Sequence, residues 1–133
     1  QPGAKLPKIF HVNWFRKGAD GKFLWPGFGE NLRVLEWMID RAEGRARGVE
    51  TPIGILPAEG ELKLDGLKLD RAALDELLEV DHAGWQSELD AIGEYLESFA
   101  PRLPERLRQE QQRVAHALRQ GEVQHAPRTA AAS

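Results

Sequence analysis

The sequence predicts a mixed α/β (α+β) fold: short strands with a β-hairpin first, then three to four helices. Three observations lead there. Residues 8–16 alternate two faces at a period of two, and a glycine-rich turn follows them. Trp85, Leu89, Ile92, Leu96 and Phe99 recur at helical spacing. Pro101 and Pro104 then end that helix and open another.

Taken in order, residues 1–7 read as a linker carrying proline, glycine and lysine with little to bury. Residues 8–16 read as a strand, with Phe10, Val12 and Trp14 on one face and Ile9, His11, Asn13 and Phe15 on the other. Both faces are apolar in part, so this strand wants cover on both sides. Residues 17–22 form a turn closing a hairpin into Phe23-Leu24-Trp25. A helix starts near Glu30 or Asn31 and runs to about Glu43, with Val34, Leu35, Met38, Ile39 and Ala42 as its buried stripe and Gly44 as its stop. Residues 45–48 read as a solvated basic loop, and residues 51–57, β-type residues between prolines, as a short or edge strand. Residues 59–69 are irregular and pinned by Leu62, Leu64, Leu67 and Leu69. Asp70 caps a short helix to Leu78, and a longer helix covers about 84–99. The last helix runs from Pro104 to about Gln120, with Leu107, Val114 and Leu118 on a weak apolar stripe. The remaining residues have the composition of a tail.

Composition bounds the function. With 133 residues, 41% hydrophobic and 29% charged, the chain can build one domain with a core. A net charge of −3 gives no electrostatic case for nucleic acid or an anionic membrane. The absence of cysteine removes disulfides, thiol catalysis and thiolate metal sites. No apolar run reaches membrane-spanning length. The chain opens Gln1-Pro2-Gly3, which points to processing or to a piece of a longer protein.

The inventory for catalysis is thin. Ser87, Ser98 and Ser133 have no neighbouring histidine or glycine elbow, and the four histidines are scattered. His11, on an apolar strand, reads as a core or interface histidine rather than a catalyst. The run from Gly18 to Phe23 has two residues between its glycines, where a phosphate loop needs four, so it reads as a hairpin turn. Asp65, Asp70 and Asp75 are spaced by fives, neither one helical face nor a calcium loop.

The exception is aromatic. Phe23-Leu24-Trp25-Pro26-Gly27-Phe28-Gly29-Glu30-Asn31 places three large rings, two glycines flanking a phenylalanine, and an amide in nine residues. A tight hairpin brings Phe15 beside Phe23, and flanking glycines free the backbone around Phe28. Three phenylalanines suffice to clamp a planar ring, and Asn31 has both a donor and an acceptor with which to select a base. The plainer readings stand beside this one: the rings as core, Asn31 as an N-cap, and Trp14, Trp25 and Trp37 as packing residues.

Lys5-Leu6-Pro7-Lys8-Ile9-Phe10-His11-Val12-Asn13-Trp14-Phe15-Arg16, the aromatic segment just quoted, and Arg33-Val34-Leu35-Glu36-Trp37 together resemble GTP-dependent phosphoenolpyruvate carboxykinase, in its C-terminal portion. Thr51-Pro52-Ile53-Gly54 and Pro57 continue the resemblance. It becomes patterned through Trp85 to Leu96 and Leu103-Pro104, and fades after about Gln120.

The resemblance implies that residues 1–120 are a piece of a larger nucleotide-binding domain and 121–133 a polar tail. It implies that Phe15, Phe23 and Phe28 sandwich guanine of GTP or GDP while Asn31 reads its polar edge. Gly29 and Glu30 then belong to the nucleotide-contacting turn, with Trp14 near the pocket. It further implies a cytoplasmic, monomeric parent enzyme that converts oxaloacetate and GTP to phosphoenolpyruvate, GDP and carbon dioxide in gluconeogenesis. That enzyme uses Mn2+, with Mg2+ or another divalent ion on the nucleotide. The family's phosphate loop, metal ligands, substrate arginines and lid lie upstream of this portion. The chain alone is therefore expected to be inactive, to need the rest of the parent enzyme, and to self-associate when excised. The alternatives are a free-standing nucleotide-binding or interaction module, and a fragment whose aromatics only pack.

Overall fold

The computed structural model describes residues 6–125, so most of the expected linker and residues 126–133 of the expected tail lie outside it. A 3-10 turn at Phe28–Glu30 leads into α1 (Asn31–Ala42), followed by β1 (Gly48–Thr51), β2 (Gly54–Pro57), α2 (Arg71–Leu78), α3 (His82–Glu97) and α4 (Glu105–His125). The two strands pair as a hairpin, so the fold is α+β as expected. The chain divides into two compact units. One holds the residues up to Glu50 with Ile55–Glu79; the other holds Thr51–Gly54 with the residues from Val80 on.

In the first unit, residues 8–16 do not form the expected strand. Their burial does alternate: Phe10, Val12 and Trp14 turn inward, while Ile9, His11, Asn13 and Phe15 are exposed. The reason is hydrogen bonding. A strand needs a neighbour to take its N–H and C=O groups, and the nearest pairing is the single antiparallel bridge Lys17–Phe23. Around that bridge the Leu24 N–H donates to Arg16 O at 2.9 Å and the Gly18 N–H to Lys22 O at 3.0 Å, closing a narrow hairpin. His11 is accordingly exposed and not a core histidine. The inward face packs on aromatics: Phe10 meets Trp37 edge-on at 6.1 Å, and Trp14 lies 6.2 Å from Trp25.

The expected stripe on α1 is rotated. Trp37 is buried with Val34 and Met38 half-buried, whereas Leu35, Ile39 and Ala42 are exposed. An indole buries more apolar area than a leucine or isoleucine, and the Trp37 N–H finds an acceptor in Arg47 O at 3.3 Å. Ala46, expected in a solvated loop, is buried. Gly44 ends the helix at φ 81°, a left-handed conformation that glycine adopts without penalty. The leucines of residues 62–69 are half-buried as expected, and the Asp70 side chain caps α2 by accepting from the Ala73 N–H at 2.7 Å.

Glu61 ties the irregular segment to the loop after α1. It accepts from the Arg47 Nε at 2.8 Å and from the Arg47 backbone N–H at 3.0 Å. Those bonds hold its carboxyl below the ordinary glutamate value of 4.5. A folded pKa below the unfolded one means that the contribution is present above about pH 4.5 and is lost as pH falls through the folded value. Glu61→Gln should therefore flatten the acid limb of a melting-temperature profile as pH falls below about 4.5. An unchanged limb counts against the pair.

The second unit is built on α3 against α4. Leu89, Ala115 and Leu118 are its buried core, with Ile53, Val80, Trp85, Ile92 and Val114 packed around them. The α3 helix begins two residues before its expected start because Asp81 caps it, accepting from the Gly84 N–H at 2.9 Å. Gln111 Nε2 donates to Leu89 O at 2.9 Å, and His82 Nδ1 lies 3.1 Å from Leu118 O. The α4 helix continues past residue 120 to His125.

Candidate functional site

The first unit brings together much of the aromatic set. The Lys17–Phe23 bridge places Phe15 and Phe23 with ring centroids 5.9 Å apart, edge to face at 65°. Phe15 is 70% exposed and Phe23 56%, so neither is core. Lys17 Nζ lies 5.3 Å from the Phe23 ring centroid, a cation–π contact that puts positive charge beside the ring pair. The Phe15 N–H donates to Asn13 Oδ1 at 2.9 Å, which fixes the backbone where the ring emerges.

Phe28 is on the 3-10 turn and is 91% exposed. It joins none of the ring contacts among the described residues, so the structure pairs two of the three phenylalanines and holds the third apart. The turn starts at Gly27, whose φ of 127° a side chain would strain, and the Glu30 N–H closes it onto Gly27 O at 3.1 Å. Gly29 has no positive φ, and a Cβ there meets nothing within 4 Å. Neither the fold nor its packing demands that glycine.

Asn31 is the first residue of α1 rather than its N-cap; Glu30 takes the cap position and makes no side-chain cap bond. The Asn31 side chain is diverted to Trp25, whose Nε1–H donates to Asn31 Oδ1 at 2.9 Å. Trp25 is 6% exposed and lies tilted against half-buried Trp14, so both are packing residues, but Trp25 also has a polar task. The Glu30 carboxylate is bonded at 2.6 Å by Arg33 Nε, whose other nitrogens donate to Lys63 O at 2.6 Å and Asp65 O at 3.1 Å. From the other side, Arg16 Nη1 donates to Glu79 O at 2.9 Å.

Sequence reasoning missed Trp25 as a donor to Asn31, and it missed Arg16 and Arg33 as fasteners of the loop. A donor-only indole six residues before an amide was the one available signal for the first. Among the described residues no group of three or more histidines or carboxylates is placed to hold a metal ion. The Mn2+ and Mg2+ that the resemblance implies thus find no fitting ligand set here. Among those residues no helix is long and apolar enough to cross a membrane.

Comparison with known proteins gives a consistent picture. Residues 1–117 match the family model described as phosphoenolpyruvate carboxykinase C-terminal P-loop domain. The chain is 52% identical over 106 residues to phosphoenolpyruvate carboxykinase (GTP) of Arthrobacter sp. (strain FB24), covering 80% of this chain and 17% of that protein. It is 54% identical over 104 residues to the protein of the same name from Treponema pallidum (strain Nichols), covering 77% and 17%. With that of Chlamydia pneumoniae it shares 50% identity over 117 residues, covering 87% and 20%. The chain therefore spans a fifth or less of the length of these relatives. The matches do not favour a free-standing module.

Proposed function

Because the chain belongs to the GTP-dependent phosphoenolpyruvate carboxykinase family, in its C-terminal P-loop domain, we propose that it is the guanine-recognition part of a larger carboxykinase. The observation that carries this reading is the exposed Phe15–Phe23 pair on the hairpin, in the same unit as the Phe28 turn and the Asn31 amide. Exposed rings contribute little to folding, but covering them with a planar base is favourable, and base stacking contributes about 1–3 kcal/mol per base. Phe15, Phe23 and Phe28 form the walls for the guanine of GTP or GDP, Asn31 reads its edge, Gly29 and Glu30 belong to the turn that contacts the nucleotide, and Trp14 backs the site.

The whole protein, on this reading, converts oxaloacetate and GTP to phosphoenolpyruvate, GDP and carbon dioxide in the cytoplasm, in the service of gluconeogenesis. Mn2+ and a second divalent ion are held by the upstream residues that the family resemblance implies. Phosphoryl transfer depends on positioned phosphates and metal-neutralised charge, so this chain contributes base recognition and no chemical step. The exposed Ile9 and His11 are covered by the rest of the enzyme; the excised chain associates through them.

The test is base selectivity in the full-length enzyme by calorimetry. Asn31→Ala should lower GDP affinity and bring GDP and ADP closer together, because an apolar slot discriminates less than a hydrogen-bonding one. A GDP preference undiminished by Asn31→Ala removes Asn31 as the reader.

A further inference from the structure

Trp25 decides what the Asn31 amide can offer. The indole N–H is a donor only, so the atom it faces at 2.9 Å must be the amide oxygen. With Trp25 6% exposed, that N–H has no ready exchange with water and is costly to leave unpaired. The contact with Trp14 at 6.2 Å holds the indole in place. The amide is thereby locked in one of its two orientations, with Nδ2 turned away from the indole as a donor.

We propose that Trp25 is a positioning residue for base selectivity: by engaging Asn31 Oδ1 it makes Asn31 present N–H donors rather than a carbonyl. This rests on the reading of Asn31 as the base-contacting residue. A purine carrying a carbonyl at position 6 accepts from that amide, whereas one carrying an amino group there brings donor against donor. Without the indole the amide is free to flip about its last torsion, and it serves an oxo or an amino purine alike. The discrimination lost is that of one neutral hydrogen bond held in one sense, about two- to twelvefold.

The experiment is a double-mutant cycle in the full-length enzyme, with GDP and ADP affinities measured for Trp25→Phe, Asn31→Ala and the double variant. Trp25→Phe should reduce the GDP-over-ADP ratio about two- to twelvefold. In the Asn31→Ala background the same change should leave the ratio where it is, since no amide remains to orient. The proposal fails if Trp25→Phe keeps the full ratio, or lowers it equally with and without Asn31. If Asn31→Ala alone leaves the ratio intact, the reading of Asn31 fails and this inference falls with it, an outcome distinct from the first. Should Trp25→Phe not fold, the native Trp25 indole N–H resonance decides the matter: GDP shifts it, and a signal unmoved at saturating GDP overturns the proposal.

Discussion

Replacing Leu118 by alanine should destabilise the α3–α4 unit by about 2–5 kcal/mol. Leu118 is 1% exposed, the most deeply buried large side chain described, and it forms the unit's core with Leu89 and Ala115. Truncation removes the transfer free energy of the lost methyl groups and leaves a cavity. Its lining includes two helices whose backbones are pinned by Gln111 to Leu89 O and by the His82–Leu118 O contact. Those bonds limit collapse into the space, which places the cost in the upper part of the range. Leu107→Ala on the same helix is the control: half-exposed, it should change stability by less than about 0.5 kcal/mol. Urea unfolding followed by circular dichroism measures both. Equal effects at the two positions contradict the assigned core.

Phe28→Ala should raise the KM for GTP by about 5- to 150-fold, the equivalent of about 1–3 kcal/mol of lost stacking. The same variant should melt at the native temperature, because Phe28 is 91% exposed and joins none of the ring contacts among the described residues. This pairing of a large binding effect with no stability effect separates a stacking wall from a packing residue. Phe23 is a less clean probe, since it sits in the bridge with Lys17 and truncating it disturbs the hairpin as well. A KM unchanged in Phe28→Ala removes Phe28 from the pocket. A lower melting temperature assigns it a structural role instead.

What was legible in the sequence depended on how local each cause was. The α3 helix followed from Trp85, Leu89 and Ile92, and the Asp70 cap from one residue ahead of an apolar pattern; both depend on neighbours within a few positions. Residues 8–16 were half legible. Their alternation is written in the side chains, but a ladder needs a second strand, and none of the described residues supplies one beyond the bridge at Lys17. The rotation of α1 was hidden because Leu35, Ile39 and Trp37 all score as apolar, and only packing against Phe10 and the acceptor at Arg47 O selects Trp37. At the site, the aromatic composition and the amide were visible. The Trp25–Asn31 bond was not, because it depends on how Gly27, at φ 127°, turns the chain between them.

The two arginine fasteners bear on where the chain can be cut. Every residue proposed to meet the nucleotide lies at or before Asn31. Arg33 nevertheless spends its guanidinium on carbonyls at Lys63 and Asp65, and Arg16 reaches Leu77 and Glu79. A peptide ending soon after α1 would contain every wall of the pocket and strip these two cations of their acceptors. The smallest segment able to hold the loop in shape therefore extends to residue 79. During synthesis, too, the pocket must wait for some fifty residues beyond its last contact before it can set.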